Sequence, residues 1–327
     1  LYMMSKGSRA QTPSRREEDL STATKGSTPA ARESSSESAG PSPGSAPLLD
    51  YATVSSYWSK AEPSIMGPYM MDGFGFPASA GKYRFDAECE IVQRLIRNAK
   101  IDSVGTVLDL GSGVGFWAEH FAREFEKVIA IEASPPLYEA MVTRCSQYLN
   151  ATLINDDVLG FEPNDRYSII FLGGMLMYLN EDDVIRLFAK LTPFLEPGGI
   201  VLCRESTVRN GTLTRQGDYQ VVYRSVQTYS SLFAKCGLSI DHVELNTPYY
   251  LMQMGCESIK KWKSIMPSSL QAIPIVGRLT YGLLRTAGAA LTHFPDTFGQ
   301  DFPELTNHFF VLRTASDARA RPCSGMD

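Results

Sequence analysis

The stretch Thr106-Val107-Leu108-Asp109-Leu110-Gly111-Ser112-Gly113-Val114-Gly115-Phe116-Trp117 leaves the backbone few options. Val107, Leu108 and Leu110 form a short apolar run suited to a strand covered on both faces. Gly111, Gly113 and Gly115 then allow a sharp turn and a close backbone approach to a ligand. A helix expected over Phe116–Phe125 aims its amide-rich N-terminus at the same point. A second apolar run, Val128-Ile129-Ala130-Ile131, leads into Glu132, 21 residues beyond Gly111. An acid there can accept both hydroxyls of a ribose. The pattern proposes a nucleoside-bearing ligand over the carboxyl ends of a parallel sheet.

The glycine spacing narrows the nucleoside. A dinucleotide fingerprint has the form G-x-G-x-x-G, its third glycine allowing close helix packing. Counted from Gly111, Phe116 holds that third place and Gly115 comes one residue early. Asp109, just before the turn, would repel a pyrophosphate but suits an ammonium group. A ligand with an amino-acid end and a ribose but no phosphate meets both conditions, which points to S-adenosylmethionine. On these residues the chain resembles the class I S-adenosylmethionine-dependent methyltransferases, over roughly Tyr57 to Arg313.

The rest of the chain alternates as a doubly wound α/β fold requires. Strands are expected at Thr106–Leu110, Val128–Glu132, Thr152–Asn155, Ser168–Leu172, Ile200–Arg204, Ser239–Glu244 and Phe309–Arg313. Helices are expected at Phe85–Asn98, Phe116–Phe125, Pro136–Tyr148, Asp182–Phe194 and Val226–Cys236. The resemblance implies a Rossmann-like sheet of seven strands whose last strand inserts antiparallel. About 60 residues, Pro248 to Asn307, form an insertion before that strand, read as one or two helices on the sheet edge or the acceptor cleft. A membrane-surface helix is the other reading of this segment.

Residues 1–47 are rich in Ser, Ala, Pro and Gly and lack apolar periodicity, so the sequence predicts a disordered tail. An organelle transit peptide is the alternative, opposed by Glu17, Glu18, Asp19, Glu33 and Glu37. Residues 48–100 are expected to form a lid and helical segment, 101–315 the catalytic domain with its insertion at 248–307, and 316–327 a second tail. Tyr51 to Lys82 is aromatic and glycine-rich, too broken for a long helix yet too apolar for a linker. It reads as a core lid, or as a cover that closes over the cofactor and lines the acceptor site. Six scattered cysteines without a C-x-x-C pair, with four dispersed histidines, carry no metal signature and fit reduced thiols. No run of about 18 uncharged apolar residues suggests a membrane span. The formal charge of −5 argues against a nucleic-acid partner, and a cytoplasmic location is expected.

Four places are expected to hold the cofactor. Asp109 with Gly111, Ser112, Gly113 and Gly115 takes the methionine end, and Glu132 the ribose. Asp157 reaches the adenine amino group with the Val158 amide beside it, Asp156 being the competing choice one register step away. Leu172 and Gly173 offer backbone groups near the methionine. The acceptor is expected outside the ends of the fourth and fifth strands. There Glu205 is a candidate general base or ammonium anchor, or an ion-pair partner of Arg204 or Arg224. Tyr178 and Arg224 complete the catalytic candidates; Arg224 could bind a carboxylate or brace the next helix. Tyr57, Trp58, Tyr69, Arg204 and Tyr219 are the acceptor-binding candidates.

Tyr57-Trp58, Met71-Asp72-Gly73-Phe74-Gly75 and Arg224 also resemble the protein N-terminal alpha-amine methyltransferases. Gly173-Gly174 and Glu205-Ser206 depart from that family, which carries an aromatic and an Asp-Asn pair at these places. The expectation is therefore a methyltransferase acting on an oxygen or nitrogen of a small molecule. A protein N-terminal methyltransferase and a non-catalytic cofactor-binding regulator are the alternatives.

Overall fold

The first strand, β1 (Thr106–Leu110), pairs in parallel with β2 (Lys127–Ile131) on one side and β4 (Tyr167–Gly173) on the other. The computed structural model describes residues 48–63, 76, 79–265, 274–291 and 303–314. The expectations for residues 1–47 and 316–327, for most of the segment 64–78 and for parts of the insertion lie outside them. β3 (Ala151–Ile154) flanks β2, and β5 (Leu195–Val208) flanks β4, again in parallel. The chain reverses at β9 (Thr306–Thr314), which runs antiparallel between β5 and β8 (Leu238–Leu245). The seven expected strands thus form one sheet in the order β3-β2-β1-β4-β5-β9-β8.

Strand alternation builds two cores. Leu108, Leu110, Ile170, Leu172, Val201, Cys203, Phe310 and Leu312 face one side. There they meet α5 (Glu181–Leu191) and α6 (Val226–Lys235) through Leu187, Phe188, Tyr229 and Phe233. Their neighbours Val107, Ile169, Phe171, Ile200, Leu202, Phe309 and Val311 face the other side. There α2 (Ser79–Ala99) and α3 (Phe116–Glu124) supply Val92, Leu95, Ile96, Trp117 and Phe121. Burial on both faces explains why these strands read as continuous apolar runs.

Three elements depart from the expectations. The segment after Asp50 opens with a helix, α1 (Tyr51–Ser59), capped by the Asp50 carboxylate on the amides of Ala52 and Thr53. It ends before Pro63, so the glycines and prolines that argued against a helix act only downstream of it. α2 begins six residues earlier than expected. The polar stretch after β5 is a hairpin, β6 (Thr212–Arg215) and β7 (Val221–Ser225). β7 pairs with Thr207 and Val208, the part of β5 that projects past the end of β4. The hairpin therefore overhangs the carboxyl ends of the sheet. α4 (Pro135–Cys145) covers β2 and β3, and the insertion supplies α7 (Thr247–Ile265) and α8 (Pro274–Leu291), which pack together.

Candidate active site

The turn after β1 opens a cavity of about 620 Å³. Gly111 and Gly115 adopt φ of 69° and 84°. A Cβ on Gly111 would lie 2.8 Å from Met175 Cγ, so the turn tolerates only glycine where it meets the end of β4. Gly115 serves the opposite side. It starts α3, and a Cβ there would meet Met141 of α4, so it packs helices and does not line the cavity. Gly111, Ser112 and Gly113 do line it.

Glu132, 8% exposed, reaches back to this turn. Its Oε2 accepts from the Gly113 amide at 2.8 Å and its Oε1 from the Ser134 amide at 2.8 Å. Burial raises its pKa despite these bonds. A carboxylate offers about four lone-pair sites, so it retains acceptor capacity toward the cavity it lines. Asp157 and Val158 line the cavity and Asp156 does not; Asp156 instead accepts from the Asp157 amide. Asp157 accepts from the Leu159 amide at 2.7 Å. Asp109 is 1% exposed and does not itself line the cavity; its Oδ2 is buried without a hydrogen-bond partner, two residues before the turn that does line it. Burial pushes its pKa up to about 7, Ser112 pulls it down and Glu132 pushes it further. Leu172 is fully buried in the core outside the cavity, whereas Gly173 lines it; of that expected pair only Gly173 faces a ligand.

These features fit S-adenosylmethionine. Glu132 lines the cavity with acceptor capacity left for a ribose, and the unpartnered Asp109 oxygen, buried next to the lining turn, suits an ammonium group that reaches the turn. The glycine turn leaves a groove that side chains would fill, and two acids stand at the ends of β2 and β3 along it.

The other side of the cavity, beyond the turn, is aromatic. Trp58, Tyr178, Tyr219, Tyr223 and Tyr249 line it, with Arg84, Arg204 and Ser206. Trp58 packs edge-on against Tyr178 at 5.3 Å between ring centroids, and the Tyr178 and Tyr219 hydroxyls are 2.8 Å apart. α1 is held over this end by Tyr51, which bonds Asp183, and by the Ser134 hydroxyl, which donates to the Trp58 carbonyl at 2.8 Å. Tyr57 does not line the cavity; it packs on Trp58 and Tyr219 and so supports those that do. Tyr69 lies outside the described residues.

Two catalytic candidates require correction. Glu205 is fully buried and does not line the cavity. Its Oε1 accepts from the Met175 and Leu176 amides at 3.1 and 3.0 Å, which fixes the turn after β4. It is therefore no general base toward a ligand there, but a brace on which the Arg224 and Arg204 charges also act. Arg224 is likewise buried and donates to the carbonyls of Leu176 and Leu179 at 2.9 and 2.7 Å, bracing the same turn. Arg204 does line the cavity and makes a two-pronged pair with Glu88 at 2.8 and 2.9 Å. Arg84 stands 3.5 Å from the same carboxylate. Burial alone would raise Glu88, but the two arginines hold its pKa below the ordinary range. The pair of Arg84 and Glu88, one turn apart on the face of α2 that carries Val92, Leu95 and Ile96, was visible in the sequence as charge on an apolar stripe. Tyr249 was not signalled by any motif.

The topology, with the last strand inserted antiparallel beside β5, is that of the class I S-adenosylmethionine-dependent methyltransferases. Residues 107–199 match the family described as a methyltransferase domain. A structure of a S-adenosylmethionine-dependent methyltransferase from Leishmania major shares the fold, with a TM-score of 0.54 at 14% identity, covering 80% of this chain and 82% of that one. Phosphoethanolamine N-methyltransferase 1 of Triticum aestivum is 28% identical over 139 residues, 40% of this chain and 27% of that protein. Alpha N-terminal protein methyltransferase 1 of Arabidopsis thaliana is 25% identical over 194 residues, 57% of this chain and 69% of that protein. The chain spans less than a third of the length of the wheat protein. Among the described residues no helix is long and apolar enough to cross a membrane.

Proposed function

We propose that this chain transfers a methyl group from S-adenosylmethionine to an oxygen or nitrogen of a small-molecule acceptor. The observation that carries this reading is one cavity in which the glycine turn and strand-end acids are continuous with an aromatic compartment. Its size falls in the range of small-molecule sites. In this reading Asp109 and the turn hold the amino-acid end, Glu132 the ribose, and Asp157 with the Val158 amide the adenine. Gly173 offers its backbone beside the methionine. Bound there, the cofactor supplies an electrophilic methyl group. The protein's own contribution is placement and exclusion of water. Trp58 and Tyr219 confine the acceptor, and α1, fastened by Ser134, covers the mouth.

Titrating the purified chain with S-adenosylmethionine and, separately, with NAD tests the cofactor assignment. Incubation with methyl-labelled cofactor and a deproteinised metabolite extract, beside an arm with peptides bearing a free α-amine, tests the acceptor class. Binding of S-adenosylmethionine and label in the metabolite fraction are expected. Binding of NAD alone, or label confined to peptide, would reject the proposal.

A further inference from the structure

We infer that the methyl acceptor is the nitrogen of a small amine seated against Trp58, Tyr178 and Tyr219, an inference that rests on the methyltransferase reading of the same cavity. The three rings form one continuous wall, joined by the Trp58–Tyr178 contact and the Tyr178–Tyr219 hydroxyl pair. Ring faces are electron-rich and attract cations, most strongly where water is excluded. Such a wall stabilises positive charge that develops on an attacking nitrogen and offers nothing comparable to a neutral ether oxygen.

The groups that could serve a hydroxyl acceptor are committed elsewhere. An alcohol must lose its proton as it attacks, which calls for a base within hydrogen-bond reach. Of the carboxylates near this wall, Glu205 lies behind it on the Met175 and Leu176 amides. Glu88 is held by Arg204 and by Asn246. Among the described residues, the acids that line the cavity are Glu132 and Asp157, both on the nucleoside side at the ends of β2 and β3. Tyr178 keeps its proton: burial and the neighbouring phenols raise it well above its ordinary value. Arg84 and Arg204, which line the same cavity, share the Glu88 carboxylate and lie against the Tyr249 ring at 5.2 and 5.6 Å.

An uncharged amine needs no such base. Its lone pair forms the new nitrogen–carbon bond while the carbon–sulfur pair stays on sulfur. The sulfonium charge thereby passes to nitrogen, and the ammonium product afterwards releases one proton to solvent.

The test uses the full chain saturated with S-adenosylhomocysteine. Tetramethylammonium, a non-reactive mimic of a methylated amine, is titrated against tert-butanol, its neutral counterpart of similar shape, by calorimetry and tryptophan fluorescence. Tetramethylammonium should bind about tenfold tighter or more. Trp58→Leu and Tyr219→Leu should each remove most of that preference, and Tyr219→Phe, which keeps the ring, should preserve it. The variants' melting temperatures establish that they are folded. In the methyl-labelled extract, fragmentation mass spectrometry should place the label on nitrogen. Equal binding of the two probes, or label on oxygen, would overturn the inference while leaving the methyltransferase reading intact. Failure to bind S-adenosylhomocysteine would instead remove the reading beneath it.

Discussion

Asp109 concentrates the pH behaviour of the cofactor side. Its carboxyl is buried at the end of β1 with one oxygen unpartnered, and its pKa stands at about 7. A carboxyl whose folded value is raised contributes stability that is fully present below its unfolded value, about 3.9, and is lost as pH rises through the folded one. Without ligand the protein should therefore lose stability between about pH 4 and 7, and Asp109→Asn should lose less. Thermal melts across this range check the difference. A cationic amino group placed beside Asp109 favours the ionised form, so S-adenosylmethionine affinity should climb with pH through about 7 in the parent chain and stay flat in Asp109→Asn. Calorimetry at several pH values would show equal slopes if the acid stood outside the site. Glu132→Ala should weaken the cofactor by about 1.5–3 kcal/mol, the scale of hydrogen bonds to a charged group, with the fold retained. Unchanged affinity would remove Glu132 from the ribose.

At the scale of elements, two buried carboxylates organise the acceptor end without facing a ligand. Glu205 ties the end of β5 to the turn after β4, where Met175, Met177 and Tyr178 meet the cavity. Glu205→Ala leaves two buried amides without their acceptor and should cost about 1–3 kcal/mol for each group left unsatisfied. Urea denaturation measures the loss; a variant as stable as the parent would show that the turn holds itself. Glu88 joins α2 to β5 and, through Asn246, to the start of α7. Glu88→Ala removes the buried carboxylate that both guanidiniums share, and a cost of about 3–5 kcal/mol is expected in urea denaturation. α1 differs in kind: its fastening runs through Tyr51 and through the Trp58 carbonyl. Trp58→Ala should thus reduce turnover more than cofactor affinity, because it disturbs closure and acceptor placement. Paired kcat and calorimetric measurements separate these effects, and an equal fall in both would place Trp58 with the cofactor.

Across the whole molecule, deleting residues 1–47 should leave melting temperature and cofactor affinity unchanged, because their composition supplies too little apolar surface to offset the entropy of ordering them. A large fall in either would show that this segment docks on the domain. The strand–turn–helix unit, the seven strands and the place of Glu132 were legible in the chain itself. Each rests on local rules: glycine at positive φ, period-2 alternation within a doubly covered sheet, and a fixed distance from turn to second strand. The choice of Asp157 over Asp156 agrees with the cavity lining, but the place of Glu205 was not legible. Successive residues of a strand face opposite ways, so Arg204 and Ser206 point into the cavity and Glu205 between them points away. Sequence adjacency had grouped them. The partnership of Glu88 with Arg204 spans 116 residues, and the hairpin that brings Tyr219 to Tyr178 follows a strand overhang no motif announces. The sequence determined the sheet and the cofactor because those depend on neighbours along the chain. Only the tertiary structure decided which charges and rings face the acceptor, because that depends on which elements meet across the end of the sheet.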